Sequence, residues 1–144
     1  MSFQWRAATA EDIAFARQLT CINMLPYYLH HDLLWQDEAF DLAWIIRQNW
    51  IICREGQALG FVSLSRDARA LYIRELQIAE AFRGQGAGTW AIGQVWDMMM
   101  QERRPALRLT VFKNNPARVL YERMGLQVVG EGECFLRMER AARA

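Results

Sequence analysis

The chain has 144 residues, 53% of them hydrophobic, with a formal net charge of +1. That length and apolarity fit one domain spanning residues 1–144 with a sizeable core, and they exclude a disordered chain. So even a charge argues against a broad nucleic-acid face, which needs a clear basic excess.

Cys21, Cys53 and Cys134 are odd in number and widely spaced, and they form no CxxC pair and no metal pattern with His30 and His31. Reduced thiols in a cytoplasmic protein without a bound metal are therefore expected. The segment Met1 to Arg6 lacks the charged and apolar regions of a signal peptide, and no apolar run approaches the ~18 residues of a membrane span. No membrane partner is expected.

In chain order, Phe3 to Ala8 reads as a first strand. Thr9 is placed to cap a helix from about Ala10 to Ile22, with Asp12 in the box position. Pro26 is expected to break that helix. Tyr27 to Trp35 reads as a second short helix, and Phe40 to Gln48 as helix or its exit. Trp50 to Arg54 and Ala58 to Arg66 flank the turn Glu55-Gly56-Gln57 as a hairpin, and Leu71 to Ala79 is a further strand. A helix from Thr89 to about Arg103 carries Ile92, Val95, Trp96 and Met99 at amphipathic spacing. Leu107 to Phe112 is a strand. Asn114-Asn115-Pro116 opens a helix that closes at Gly125. Leu126 to Val129 and Cys134 to Met138 are the last strands. The order implies an α+β fold with a mixed, mostly antiparallel, twisted sheet flanked by helices.

The most informative segment joins the strand ending at Ala79 to the helix after Gly88. Its loop, Arg83-Gly84-Gln85-Gly86-Ala87-Gly88, leads glycines into a helix N-terminus. Glycine lets backbone approach a ligand closely and adopt positive φ. The first helical amides lack internal partners and sit at the positive end of the helix dipole. A phosphate or pyrophosphate suits such a site. A P-loop is excluded because Thr89-Trp90 follows Gly88 where Lys-Ser or Lys-Thr is needed. A dinucleotide fingerprint is excluded because Asp97 and Glu102, the acids nearest its offset, fall inside the helix.

Arg83-x-x-Gly86-x-Gly88 resembles the acyl-CoA pyrophosphate loop of the GCN5-related N-acetyltransferase family. A second block, Asn114, Ala117, Leu120, Tyr121, Gly125 and Leu126, is similar to a family motif after the next strand. The resemblance covers nearly the whole chain and is most specific from Leu71 to Leu126. Glu80 stands where a Pro is common and Leu126 where a Phe is usual. The resemblance implies an acetyl-CoA-dependent N-acetyltransferase that moves acetyl directly to a primary amine of a small molecule or peptide. In this fold the strand before the loop splays from the one after the helix, and the gap admits the pantetheine arm. The resemblance implies that Leu76, Gln77 and Ile78 border that arm, with bonds from the backbone of Leu76 and Ile78. It implies that the amides of Arg83, Gly84, Gln85, Gly86, Ala87, Gly88 and Thr89 hold the pyrophosphate. Asn114 would bond the pantetheine or the acyl region, Ala117 would also border the cofactor, and Tyr121 would point its hydroxyl at the thioester sulfur.

An ammonium acceptor must lose a proton before it attacks. Glu75 is the candidate base, on the same strand face as Ile73 and Gln77. The alternative is a structural Glu paired with Arg74 or Arg108. Among the aromatic and histidine residues between the first helices, Tyr27 and Trp35 are the candidate acceptor-binding residues. Other readings of the chain are a non-catalytic acyl-CoA-binding module, or an acyltransferase with a different acyl-CoA or acceptor. A sheet edge in the last strands offers a surface for a homodimer.

Overall fold

The computed structural model describes residues 2–143; Met1 and Ala144 lie outside them. The β-branched and aromatic runs form strands β1 (Gln4–Ala7), β2 (Gln48–Arg54), β3 (Gln57–Arg66), β4 (Leu71–Ile78), β5 (Ala106–Phe112), β6 (Gln127–Glu131) and β7 (Phe135–Ala141). The amphipathic segments form helices α1 (Ile13–His30), α2 (Asp37–Ile46), α3 (Ala87–Gln101) and α4 (Ala117–Arg123). The strands make one seven-stranded sheet in the order β1-β2-β3-β4-β5-β7-β6. β1–β2, β5–β7 and β6–β7 pair antiparallel, whereas β4 and β5 pair parallel from Leu71↔Leu107 to Ile73↔Leu109. A parallel pair needs a crossover, and α3 lies in the chain between these two strands. This is the mixed, mostly antiparallel α+β fold that the element order implies.

The chain divides into two compact units, Met1–Ser63 with Glu75–Gly88, and Leu64–Arg74 with Thr89–Ala144. In the first unit, the Thr9 amide donates to the Asp12 carboxylate (2.8 Å), and Arg6 grips that carboxylate with two bonds of 2.8 and 2.9 Å. Those bonds hold the Asp12 carboxyl down to about 2. The residues between, Ala10–Asp12, form a 3-10 turn that leads into α1.

Helix α1 does not break at Pro26 but runs through it to His30. Proline removes one N–H from the ladder, and the carbonyl it leaves unserved belongs to Ile22, which is 63% exposed. The exposed Ile22 side chain stands on that part of the helix, and the helix continues past the proline. Tyr27 to His30 therefore belong to α1 and not to a separate helix ending at Trp35. The helix closes at Asp32, which takes a left-handed φ of 56° while the Leu33 amide reaches back to the Tyr28 carbonyl (2.7 Å). Arg17 of α1 then fastens α2 through a two-bond ion pair to Asp41 (2.9 and 3.2 Å). Ala16, Leu19, Trp44, Ile51 and Phe61 form the core of this unit. Asn49 caps the end of α2, its amide donating to the carbonyls of Trp44 (2.9 Å) and Arg47 (3.3 Å).

In the second unit, Ala91, Ile92, Val95 and Met99 of α3 are buried, as their spacing requires. Trp96 is only half-buried, with the Arg140 guanidinium 3.6 Å from its ring centroid. Arg140 also donates to the Met124 carbonyl (3.3 Å) at the end of α4. There Gly125 takes φ +90° and the Leu126 amide bonds the Tyr121 carbonyl (3.0 Å), closing the helix as a glycine-terminated one closes.

Two glycines should respond to alanine with opposite sign. A Cβ on Gly60 of β3 would lie 2.1 Å from the Gln77 carbonyl oxygen of β4, against backbone that cannot yield. Gly60→Ala is expected to destabilise by about 1–3 kcal/mol. Gly93 lies inside α3 with nothing within 4 Å of the added Cβ. Gly93→Ala is expected to stabilise by about 0.5–1 kcal/mol. Urea denaturation checks both, and equal midpoints for the two variants would contradict this packing.

Candidate active site

β4 leads into the glycine loop, and its backbone sets which groups it offers. The Ala79 amide donates to the Leu59 carbonyl (2.9 Å). Strand groups alternate, so Gln77 and Ala79 turn their backbone toward β3, and Leu76 and Ile78 turn theirs to the opposite edge. A 3-10 turn, Glu80–Phe82, follows. Gly84 (φ +74°) and Gly86 (φ +91°) then take left-handed backbone. A Cβ at either position has room, so the conformation, and not a lack of space, calls for glycine there. Residues 83–86 are exposed.

Helix α3 begins at Ala87, two residues before the start expected from its apolar spacing. Ala87, Gly88 and Thr89 are thus its first turn, where amides lack intrahelical partners and the dipole is positive. Loop and helix start together present backbone donors of the kind that suits a phosphate group.

The Arg83 side chain is engaged with two neutral partners of the same unit. Its Nη2 donates to Asn23 Oδ1 (2.6 Å) and its Nε to the Ile78 carbonyl (3.3 Å). The cation that touches the loop is Arg54 of β2, which donates to Gln85 Oε1 and lies 5.3 Å from the Phe3 ring centroid. Sequence reasoning missed Arg54, because its only local mark is its place at a strand end.

It also missed Asn23, which ties α1 to β4. Asn23 Nδ2 donates to Gln77 Oε1 (3.1 Å) and to the Ile78 carbonyl (3.2 Å). Gln77 Nε2 in turn donates to Glu75 Oε1 (2.9 Å). A one-way chain of donors therefore runs from the Arg83 guanidinium through two amides to the Glu75 carboxylate. The Ile78 carbonyl already accepts two side-chain donors, so Ile78 offers an added strand chiefly its amide.

Glu75 and Gln77 share a strand face, as alternation requires. Desolvation pushes the Glu75 carboxyl above its ordinary value, opposed by the Gln77 bond and the Arg47 charge. Across from it on α1, burial raises the Tyr28 phenol, with the charges of Glu75 and Cys21 adding to the shift. Arg74 and Arg108, the two pairing partners considered for Glu75, bond Ser65 (2.7 Å) and Glu139 (2.6 Å). The Trp35 indole packs edge-on to Tyr28 (5.5 Å between centroids), and its N–H donates to Asp37 (2.7 Å). Trp35 is thereby oriented beside the residue that faces Glu75. Tyr27 lies one position earlier on α1, half-buried.

Thr89, Asn114, Ala117 and Tyr121 belong to the second unit. Asn114 is exposed in the turn after β5. Its neighbour Asn115 starts α4, its Oδ1 accepting from the Ala117 amide (2.9 Å). Tyr121 is 9% exposed, on the helix whose end Gly125 and Arg140 fix. Among the described residues no cluster of His, Cys, Asp and Glu is arranged to hold a metal, and no helix is long and apolar enough to cross a membrane. The three cysteines are unpaired.

A strand edge, a two-glycine loop and a helix start follow one another here in an α+β protein, with the Glu75 carboxylate on the loop strand. The sequence profile of the Acetyltransferase (GNAT) family matches residues 16–126, and the chain belongs to that family. No curated protein matches the chain at a significant level. The fold is similar to that of PaiA N-acetyltransferase from Thermoplasma acidophilum in complex with coenzyme A (TM-score 0.78, 15% identity, 98% of this chain and 99% of that one). It is also similar to the ribosomal-protein-S18-alanine N-acetyltransferase from Escherichia coli (TM-score 0.76, 14% identity, 97% and 94%). A GNAT family acetyltransferase from Elizabethkingia anophelis with acetyl-CoA bound is a further structural relative (TM-score 0.73, 13% identity, 96% and 97%).

The raised Glu75 value has a sign that stability can test. The folded state holds this proton more tightly than the unfolded chain does. The stability it contributes is present below the ordinary Glu value of 4.5 and is lost as pH rises through the higher folded value. Glu75→Gln keeps a neutral group that accepts from Gln77. Its denaturation midpoint is expected to exceed that of the wild type increasingly from about pH 4.5 upward, then by a constant margin. Parallel stability curves for the two proteins would refute the burial of this carboxyl.

Proposed function

We propose that this chain is an acetyl-CoA-dependent N-acetyltransferase, acting as a single domain and transferring acetyl directly to a primary amine. The observation that carries the reading is the two-glycine loop, with Gly84 and Gly86 at positive φ, feeding the first turn of α3 at the end of β4. The amides of residues 83–89 hold the pyrophosphate, and Arg54 supplies the nearby positive charge. The outer edge of β4 at Leu76 and Ile78 receives the pantetheine arm as an added strand, with Gln77 between them and Asn114 and Ala117 along it. The relatives that hold coenzyme A or acetyl-CoA favour the same cosubstrate here.

Glu75 takes the proton of the ammonium acceptor, directly or through water. Burial raises its value, which makes the ionised carboxylate a stronger base than an exposed one. The freed nitrogen attacks the thioester carbonyl carbon, the carbon–sulfur bond breaks, and Tyr121 donates its hydroxyl proton to the departing sulfur; the proton that the nitrogen sheds as the amide forms returns through water to the Tyr121 oxygen. Trp35, held by Asp37, and Tyr27 form the wall on which the acceptor rests. A cytoplasmic location and a dimer paired along the outer edge of β6, the last strand of the sheet, belong to the same proposal.

Isothermal titration with acetyl-CoA, and with NAD as control, tests the loop directly. Micromolar binding of acetyl-CoA alone is expected, and its absence would remove the assignment and every cofactor residue with it. Tyr121→Phe is expected to keep that affinity while turnover on an accepted amine falls about 10²–10⁴-fold. A wild-type protein that binds acetyl-CoA and acetylates no amine would instead be a binding module.

A further inference from the structure

Six large apolar side chains of the first unit stand open to water. They are Ile22 and Leu29 on α1, Leu34 after it, and Leu42, Ile45 and Ile46 on α2, each between 63% and 83% exposed. Their spacing is helical. Ile22, Leu25 and Leu29 fall at i, i+3 and i+7 of α1, and Leu42, Ile45 and Ile46 at i, i+3 and i+4 of α2. Each set is therefore a stripe along one helix face. The inner faces are already used. Ala16 and Leu19 of α1 and Trp44 of α2 enter one core with Ile51 and Phe61, and Phe40 packs against it. Two helices that turn their inner faces to a shared core turn their outer faces away from it together. The Arg17–Asp41 ion pair (2.9 Å) ties the two helices to each other.

Such residues need no explanation when they are scattered singly, but these are gathered. The uncovered area of the six is on the order of 800 Å², beyond the roughly 300–600 Å² of the largest apolar patch on a typical monomer and close to the ~800 Å² that each partner gives to a standard interface.

Charge narrows what covers this face. Residues 18–46 hold four acids, Asp32, Asp37, Glu38 and Asp41, and no lysine or arginine. A helix that lies on a membrane carries basic residues toward the anionic headgroups instead. Two of the acids are already paired inside the fold, Asp41 with Arg17 and Asp37 with the Trp35 indole N–H (2.7 Å). The outward surface is therefore mainly aliphatic, and an aliphatic surface complements itself. A contact between identical chains requires that, because a two-fold axis sets one patch against the same patch. Homodimer interfaces are also the more apolar ones.

We propose that a second copy of this chain docks here, the α1–α2 face of one protomer against that of its partner about a two-fold axis. The contact is separate from the β6 edge, so a particle that uses both is a dimer of dimers. The proposal does not depend on the acetyl-transfer reading.

Sedimentation velocity over a micromolar dilution series tests it, comparing the wild type with Ile22→Glu and Ile45→Glu, one substitution on each stripe. Val129→Glu, at an exposed position of β6, is the control for the other edge. Unfolding midpoints report that each variant keeps its fold. Should a glutamate lower the midpoint, Ile22→Ser and Ile45→Ser make the same test with a neutral side chain. Each stripe variant is expected to halve the mass of the wild-type particle and to raise the dissociation constant of the contact roughly 30-fold or more, the loss of a central apolar contact. Flotation with phosphatidylcholine–phosphatidylserine vesicles is expected to leave the wild type unbound. A wild type that is monomeric at every concentration, a folded stripe variant with the wild-type mass throughout, or wild-type protein that floats with the vesicles would each overturn the proposal. Mass lost in Val129→Glu alone would assign the assembly to the β6 edge.

Discussion

The side-chain amide of Asn23 joins three parts of the first unit that no local rule connects. Its oxygen accepts from Arg83 at the loop entry, and its nitrogen serves Gln77 and the Ile78 carbonyl of β4. Each amide in this chain must accept on one side and donate on the other, which fixes the orientation of both Asn23 and Gln77. Gln77 is 7% exposed, so a broken link would strand a buried polar group at a cost of about 1–3 kcal/mol. The chain ends on Glu75, whose carboxylate is thereby held in one place while burial keeps it reluctant to ionise. Loop entry, strand edge and candidate base depend on one another through this network.

The same network explains where the charge near the loop comes from. Arg83 is the residue that the family motif places at the entry, and its exposed guanidinium also braces the loop entry against Asn23 and the Ile78 carbonyl. The backbone of the glycine turn and the first turn of α3 are donors of the kind that suits a phosphate, with Arg54 also touching the loop from β2. Backbone donors are pre-oriented by the fold and lose no side-chain entropy on binding. The close approach at Gly60 has a related role: it lets β4 lie tightly on β3, so that the opposite edge at Leu76 and Ile78 is presented in a fixed position.

β4 divides its labour along its length. Leu71 to Ile73 pair in parallel with β5, Tyr72 and Arg74 line a concavity with Arg108, Arg137 and Glu139, and Glu75 to Ile78 belong to the loop unit. One short strand thus carries pairing, an arginine-lined concavity, a half-buried carboxylate and a backbone edge in turn. The positive excess of that concavity is invisible in a chain whose total charge is +1, because alternation sends charged residues of several strands to one sheet face.

What the sequence determined by itself is what local rules govern. Glycines at 84, 86 and 125 mark positive φ, and all three positions have it. The spacing of Ile92, Val95 and Met99 marks the buried face of α3, and alternation marks Glu75 and Gln77 as neighbours on one face. Each of these follows from the φ preference or period of a few adjacent residues. Only the tertiary structure decided the rest. Pro26 stays inside α1, on a stretch of the helix where Ile22 and Leu29 are exposed. α3 starts at Ala87 because a glycine turn, which has no apolar period, can already lead into helix. Arg83 turns toward a partner 60 residues earlier in the chain, and Asn23 reaches Gln77 across 54 residues. A polar side chain chooses among many partners of equal chemical merit. Only the fold, by bringing one of them within hydrogen-bonding distance, makes the choice.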